Sequence, residues 1–245
     1  MSAGEADRLR MWGDLLLASL HRIGRGAAAI ELEGAQADLV PGEFVAEGVI
    51  EALRERDAAK AAAVILADRE LDAMEMEVDD ACIHLLALQQ PLARDLRLIT
   101  MAMKISNDIE RVGDHAVNIA QNVAYIVAAP PLPHLPELEE MVGLATDMLN
   151  DALDAFVRAD SGLAWEIGRR DDRVDELHEN VFRIVLTHMM EDPRKIGAGI
   201  DMILVSRNLE RIADLATNVA EDVVFMVEGR TIKHHAHESH DARHQ

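Results

Sequence analysis

The chain has 245 residues, a net charge of −21, and 49% apolar but only 3% aromatic residues. It can bury a real core as one large domain or two small ones, and its wealth of Ala, Leu, Val, Met and Glu favours helices over a sandwich or barrel. Such acidity argues against nucleic acid and leaves metal cations or basic protein surfaces as partners.

In chain order, residues 1–41 are expected to be helical with a break, because Gly24, Gly26, Gly34 and the Pro41-Gly42 pair interrupt the pattern. The apolar run "DLLLASLHRI" is short and contains His21 and Arg22, so it reads as neither a membrane span nor a signal peptide. A helix is predicted from Glu43, another over 57–89 that stops before "QQP", and a third over 92–127. The stretch "AAPPLPHLPEL", residues 128–138, holds four of the seven prolines and admits no helix. Beyond it, helices are expected over 137–159, over 161–191 with Ser161 as N-cap, and over 194–228, stopped by Gly229. The single Cys82 permits no internal disulfide and fits a reducing cytoplasm.

The proline stretch separates two copies of one line. "NDIERVGDHAVNIAQNV", residues 107–123, returns as "RNLERIADLATNVAEDV", residues 207–223. The predicted organisation is a first three-helix bundle over 1–129, a Pro-rich linker over 130–136, a second bundle over 137–232 and a tail over 233–245. That tail carries five of the eleven histidines and reads as a surface extension that could also bind metal.

The repeated line keeps two carboxylates four residues apart, Glu110 with Asp114 and Glu210 with Asp214. With residue 110 at zero and about 100° per residue, Asp114 falls near 40° and Asn118 near 80°. Ile109, Val112, Ala116, Ile119 and Val123 cluster between roughly 180° and 260°, so the acids point away from the apolar stripe. The preceding helix adds Asp68, Asp72, Glu75 and Asp79, all on one line along its axis. Like charges at this spacing repel by a few tenths of a kcal/mol per pair. The second half repeats the start of that ridge with Asp171 and Asp175, then places His178 and Phe182 where Glu75 and Asp79 stood. One such helix needs only a solvated face. Paired acids on two adjacent helices, in both halves, point instead to a cation site for Mg²⁺, Mn²⁺, Ca²⁺ or iron, to which His178 could add a nitrogen.

"DRELDAMEMEVDDACIHLLALQQPLARDLRLI" followed by "NDIERVGDHAVNIAQNV", and the second pair "DDRVDELHENVFRIVLTHMMEDPR" with "NLERIADLATNVAEDV", resemble the PhoU family over roughly residues 43–234. The resemblance implies an all-α fold of two tandem pseudo-symmetric three-helix bundles. It implies iron or zinc clusters held by Asp68, Asp72, Glu110 and Asp114 in one half and Asp171, Asp175, Glu210 and Asp214 in the other. Their places on the same helix faces make Glu75, Asp79, His178, Asn118 and Asn218 further candidates. It also implies a cytoplasmic, homodimeric negative regulator of phosphate uptake and of the phosphate-starvation response. Such a regulator contacts the phosphate ABC transporter's ATPase and a sensor histidine kinase, and meets the membrane only through them. Ala213 replaces a glycine of the family pattern, which raises helix propensity without touching the acids.

Two other functions compete. A carboxylate-bridged metal enzyme needs inward Glu residues and two Glu-x-x-His motifs, of which Asp175-x-x-His178 is the nearest approach. A helical scaffold would make the doubled acids accidental. No nucleophile–base pair or Gly-rich phosphate loop stands out. Met101, Met103, Met189, Met190 and Met202 are expected in the core, Cys82 as a small buried residue, and His84 and His115 stay open. Trp12, Trp165 and Tyr125 are too few for an aromatic recognition surface.

Overall fold

The computed structural model describes residues 58–89 and 91–232, without the side chains of 63, 64, 66–70, 74 and 89. The helices expected before Asp57 and the His-rich tail lie outside the described residues. Within them the chain is all-α with no strand: α1 (Ala58–Gln89), α2 (Arg94–Ala128), α3 (Pro136–Arg158), α4 (Ser161–Ile167), α5 (Asp171–Glu191), a 3₁₀ turn (Pro193–Lys195) and α6 (Ile196–Glu228).

The punctuation follows local chemistry. α1 ends at Gln89, shortly before Pro91, whose ring cannot continue a helix. Pro136 opens α3 at a position that needs no amide donor. Gly229 ends α6 with φ 71, and its amide donates to the Phe225 carbonyl at 2.9 Å.

Two expectations about the second half need correction. The helix predicted over 161–191 is two helices, because the residues from Gly168 to Arg170 tighten into a turn in which the Arg170 amide reaches the Ile167 carbonyl at 2.9 Å. Glycine's low helix propensity locates the break. The cap of α4 is Asp160 rather than Ser161: its Oδ1 accepts from the Gly162 and Leu163 amides at 2.9 and 3.1 Å.

α1, α2, α6 and α5 pack side by side in that order; α3 lies against α5 and α6, and α4 against α3 and α6. The central pair, α2 and α6, is antiparallel: Arg97 reaches Met226, Lys104 reaches Asp222 and His115 reaches Asn208. The two copies of the repeated line therefore cross near Val112 and Ile212, as an internal twofold relation requires. One continuous apolar cluster runs through both halves, with Ile105, Ile119, Phe156, Met148, Leu177 and Leu215 among its fully buried side chains. Ala213 is 1% exposed, so its methyl group packs into this core.

Cys82 is buried as expected, whereas Met190 is 79% exposed and is no core residue. Trp165 is half-buried, with the Arg230 guanidinium 5.6 Å above its ring. His84 sits at the surface with Nδ1 2.8 Å from the Asp80 carbonyl oxygen.

Candidate metal centre

The acids of the repeated line stand on the outer face of the helix layer. Asp72, Asp114, Asp175 and Asp214 are exposed, and Glu110, Glu210, Asp171, Glu75 and Asp79 are half-buried beside them. Asp68 lies within α1, but its side chain is outside the described residues.

In the second half the ridges of α5 and α6 face each other. Burial pushes the Asp171 carboxyl up to about 6, and the charges of Asp214, Asp175 and Asp172 push the same way. Burial, Glu210 and Asp172 raise Asp175, with His178 offsetting part of the effect. Burial, Glu210 and Asp175 raise Asp214, and Arg211 opposes them. His178 spans the two helices: Nε2 is 3.5 Å from Glu210 Oε2, and Nδ1 is 3.0 Å from Ser206 Oγ. Asp171, Asp175, Glu210 and Asp214 thus share one electrostatic environment.

In the first half, Asn107 Nδ2 donates to Glu75 Oε1 at 3.3 Å, bridging α2 and α1. Asp79 lies close enough to Cys82 to add to the burial that pushes its thiol up to about 12. Asn118 and Asn218 are exposed, and the Asn118 carbonyl accepts from Asn122 Nδ2 at 2.6 Å. Among the described residues, no three His, Cys, Asp or Glu side chains are drawn tightly enough together to hold one ion as they stand.

The donor set nevertheless fits a hard or borderline cation. It is rich in carboxylate oxygen, one imidazole stands beside it, and burial makes the unneutralised charge costly. A cation between α5 and α6 would offset the burial and the carboxylate repulsion that together raise Asp171, Asp175 and Asp214.

A second polar group lies where the halves meet, and no sequence motif marks it. Lys104 Nζ is 2.5 Å from both oxygens of Asp222, which is buried. Asp108, also buried, accepts from Arg111 Nη1 at 3.2 Å. Burial raises the Asp108 carboxyl; Lys104 and Arg111 offset part of this and Asp222 adds to it. His115 turns away from the acids to place Nδ1 3.0 Å from Asn208 Oδ1. Burial holds it below the usual histidine range, against the Asn208 hydrogen bond, and Arg211 and Arg111 deepen the effect.

The PhoU domain matches the chain twice, over residues 44–123 and 138–223. The chain belongs to the PhoU family. It is 40% identical over 191 residues to the phosphate-specific transport system accessory protein PhoU homolog of Zymomonas mobilis, covering 77% of this chain and 79% of the relative. It is 36% identical to the phosphate-specific transport system accessory protein PhoU of Serratia marcescens, covering 76% of each. The crystal structure of PhoU from Pseudomonas aeruginosa superposes with a TM-score of 0.74 at 29% identity, over 94% of this chain and 100% of that one. The PhoU regulatory protein of the Streptococcus pneumoniae phosphate transport system gives the same TM-score at 26% identity, over 89% and 98%. The two PhoU matches span both ridges of acids, so the internal repeat is a family repeat. No helix among the described residues is long and apolar enough to cross a membrane.

Proposed function

We propose that this protein is an accessory component of a phosphate-specific transport system that restrains phosphate uptake and the starvation response. It does so without catalysis, by contact with the phosphate ABC transporter's ATPase and a sensor histidine kinase. The observation that carries this reading is the double PhoU match together with 36–40% identity to proteins bearing the phosphate-transport name. The acidic outer face supports it, since such a surface steers association with a basic partner.

Metal belongs to the same proposal. Asp171, Asp175, Glu210 and Asp214 hold one cation site, with His178 at its edge, and Asp68, Asp72, Glu110 and Asp114 the other. Iron or zinc is what the resemblance implies, and Mg²⁺, Mn²⁺ or Ca²⁺ also suits the oxygens. The cation supplies neutralising charge on a face whose carboxylates otherwise repel. The acids stand outward, which favours a regulatory surface over the sheltered redox centre of a ferritin-like enzyme. A cytoplasmic location and a homodimer complete the reading.

Deleting the gene should raise phosphate uptake or starvation-gene expression in phosphate-rich medium. A deletion strain that behaves like its parent, with no paralogue present, rejects the reading.

A further inference from the structure

The hairpin of α5 and α6 carries two exposed apolar rows at helical spacing, Phe182, Leu186 and Met190 on one helix and Ile196, Ile200 and Leu204 on the other. Phe182 is 45%, Ile200 48% and Met190 79% exposed. Six large apolar side chains together on an outer face are more than scattered surface hydrophobicity, and such patches mark contact sites.

The fold does not require them. The first half builds the equivalent hairpin from α1 and α2 with Asp79, Ile83 and Ala87 on one helix and Leu96, Thr100 and Lys104 on the other. Four of the six apolar positions are therefore small or polar in a homologous hairpin. Folding alone leaves the apolar choice in the second half unexplained.

The patch also continues the acid ridge. Phe182 follows His178 by one turn on α5, and Leu204 precedes Glu210 by six residues on α6. One face thus runs from an apolar end to the carboxylates of Asp171, Asp175, Glu210 and Asp214.

We propose that the outer face of α5 and α6 docks an amphipathic helical segment of a different protein, with apolar side chains against Phe182, Leu186 and Ile200 and Lys or Arg side chains toward the acids. The proposal rests on the adaptor reading of the protein's function and names the surface that does the contacting. Charge decides the occupant. A second copy would bring another chain of net charge −21 onto this face, so a homodimer forms elsewhere. An anionic lipid surface would be repelled for the same reason. A helix with a basic end is attracted at one end of the face and buried at the other.

The test is a titration with a fluorescent synthetic helix of about 20 residues, long enough to span the face, with Leu at i, i+4 spacing in one half and Lys in the other. Leu186→Ser with Ile200→Ser should weaken binding at least tenfold, and so should replacing the peptide's Lys by Glu. A control change in the first half, Ile83→Ser with Leu96→Ser, at the positions that correspond to Leu186 and Ile196, should alter binding less than twofold. Circular dichroism confirms that each variant folds. Equal affinity across the variants overturns the proposal. So does dissociation of a wild-type dimer by the Leu186/Ile200 change, which assigns the patch to a second copy, or patch-dependent flotation with anionic vesicles, which assigns it to lipid. A deletion strain without phenotype, with the tenfold loss intact, rejects the phosphate reading and keeps the surface. A clear deletion phenotype with equal affinities does the reverse.

Discussion

Lys104 of α2 and Asp222 of α6 form an ion pair across the meeting point of the two halves, with Nζ 2.5 Å from each carboxylate oxygen. Asp222 is 3% exposed, so its charge has little water to fall back on. Lys104→Met should therefore cost about 2 kcal/mol, somewhat less than a fully buried pair, because the Lys104 side chain is 37% exposed. The internal repeat places Leu204 and Asn122 at the equivalent positions. Lys104→Leu combined with Asp222→Asn, which copies that arrangement, should recover at least half of the loss. Urea unfolding of the two variants checks this, and a double variant weaker than Lys104→Met would refute it.

Asp171 predicts a pH dependence of the metal-free protein. Its carboxyl stands at about 6, above the ordinary 3.8, so folding favours the protonated form. That stability is fully present below the ordinary value and is lost as pH rises through about 6. Asp171→Asn should then raise the neutral-pH stability of the chelated protein by on the order of 1 kcal/mol, after solvent screening of a half-buried group is allowed for. The gain should vanish near pH 4. Thermal melts from pH 4 to 7.5 in chelator decide it: a melting-temperature difference that stays constant across that range contradicts an origin in the Asp171 charge.

Cys82 should be inert in the native protein. It is 0% exposed, and burial with the neighbouring Asp79 charge pushes its thiol up to about 12. Since only the thiolate reacts, labelling by a disulfide reagent at pH 7.5 should wait for local unfolding. Labelling at the rate of a free thiol would show that α1 does not bury the residue.

The outer helix boundaries of the second half are legible in the sequence because proline and glycine mark stops in any chain, whereas Asp160 and Ser161 stand side by side and both suit a cap, so only the structure picks Asp160. The break at Gly168 is not legible, because one glycine within a strong apolar period is a weak signal beside the period itself. The acid ridges are legible because four-residue spacing fixes a face, and the repeat fixes it twice. The seam between the halves is hidden. Asp108 falls at about 160° on the same wheel, beside the apolar stripe, and only the packing of α2 against α6 shows that this flank is buried. Its one sequence mark is a carboxylate at a flank position, matched in the other copy by Asn208. Residue type alone puts Met190 in the core; its neighbour Met189 is the half-buried one, packed close to Gly199.

The central claim is that the paired acids carry the regulatory function. It is tested most directly by measuring phosphate uptake in phosphate-rich medium, in the deletion strain complemented with a chain bearing Asp171→Asn, Asp175→Asn, Glu210→Gln and Asp214→Asn. Neutralising these side chains relieves repulsion and leaves the core untouched, so the variant should accumulate and keep its helical content. Uptake should nevertheless stay at the high level of the deletion strain. Full restoration of the wild-type rate by this variant would contradict the claim.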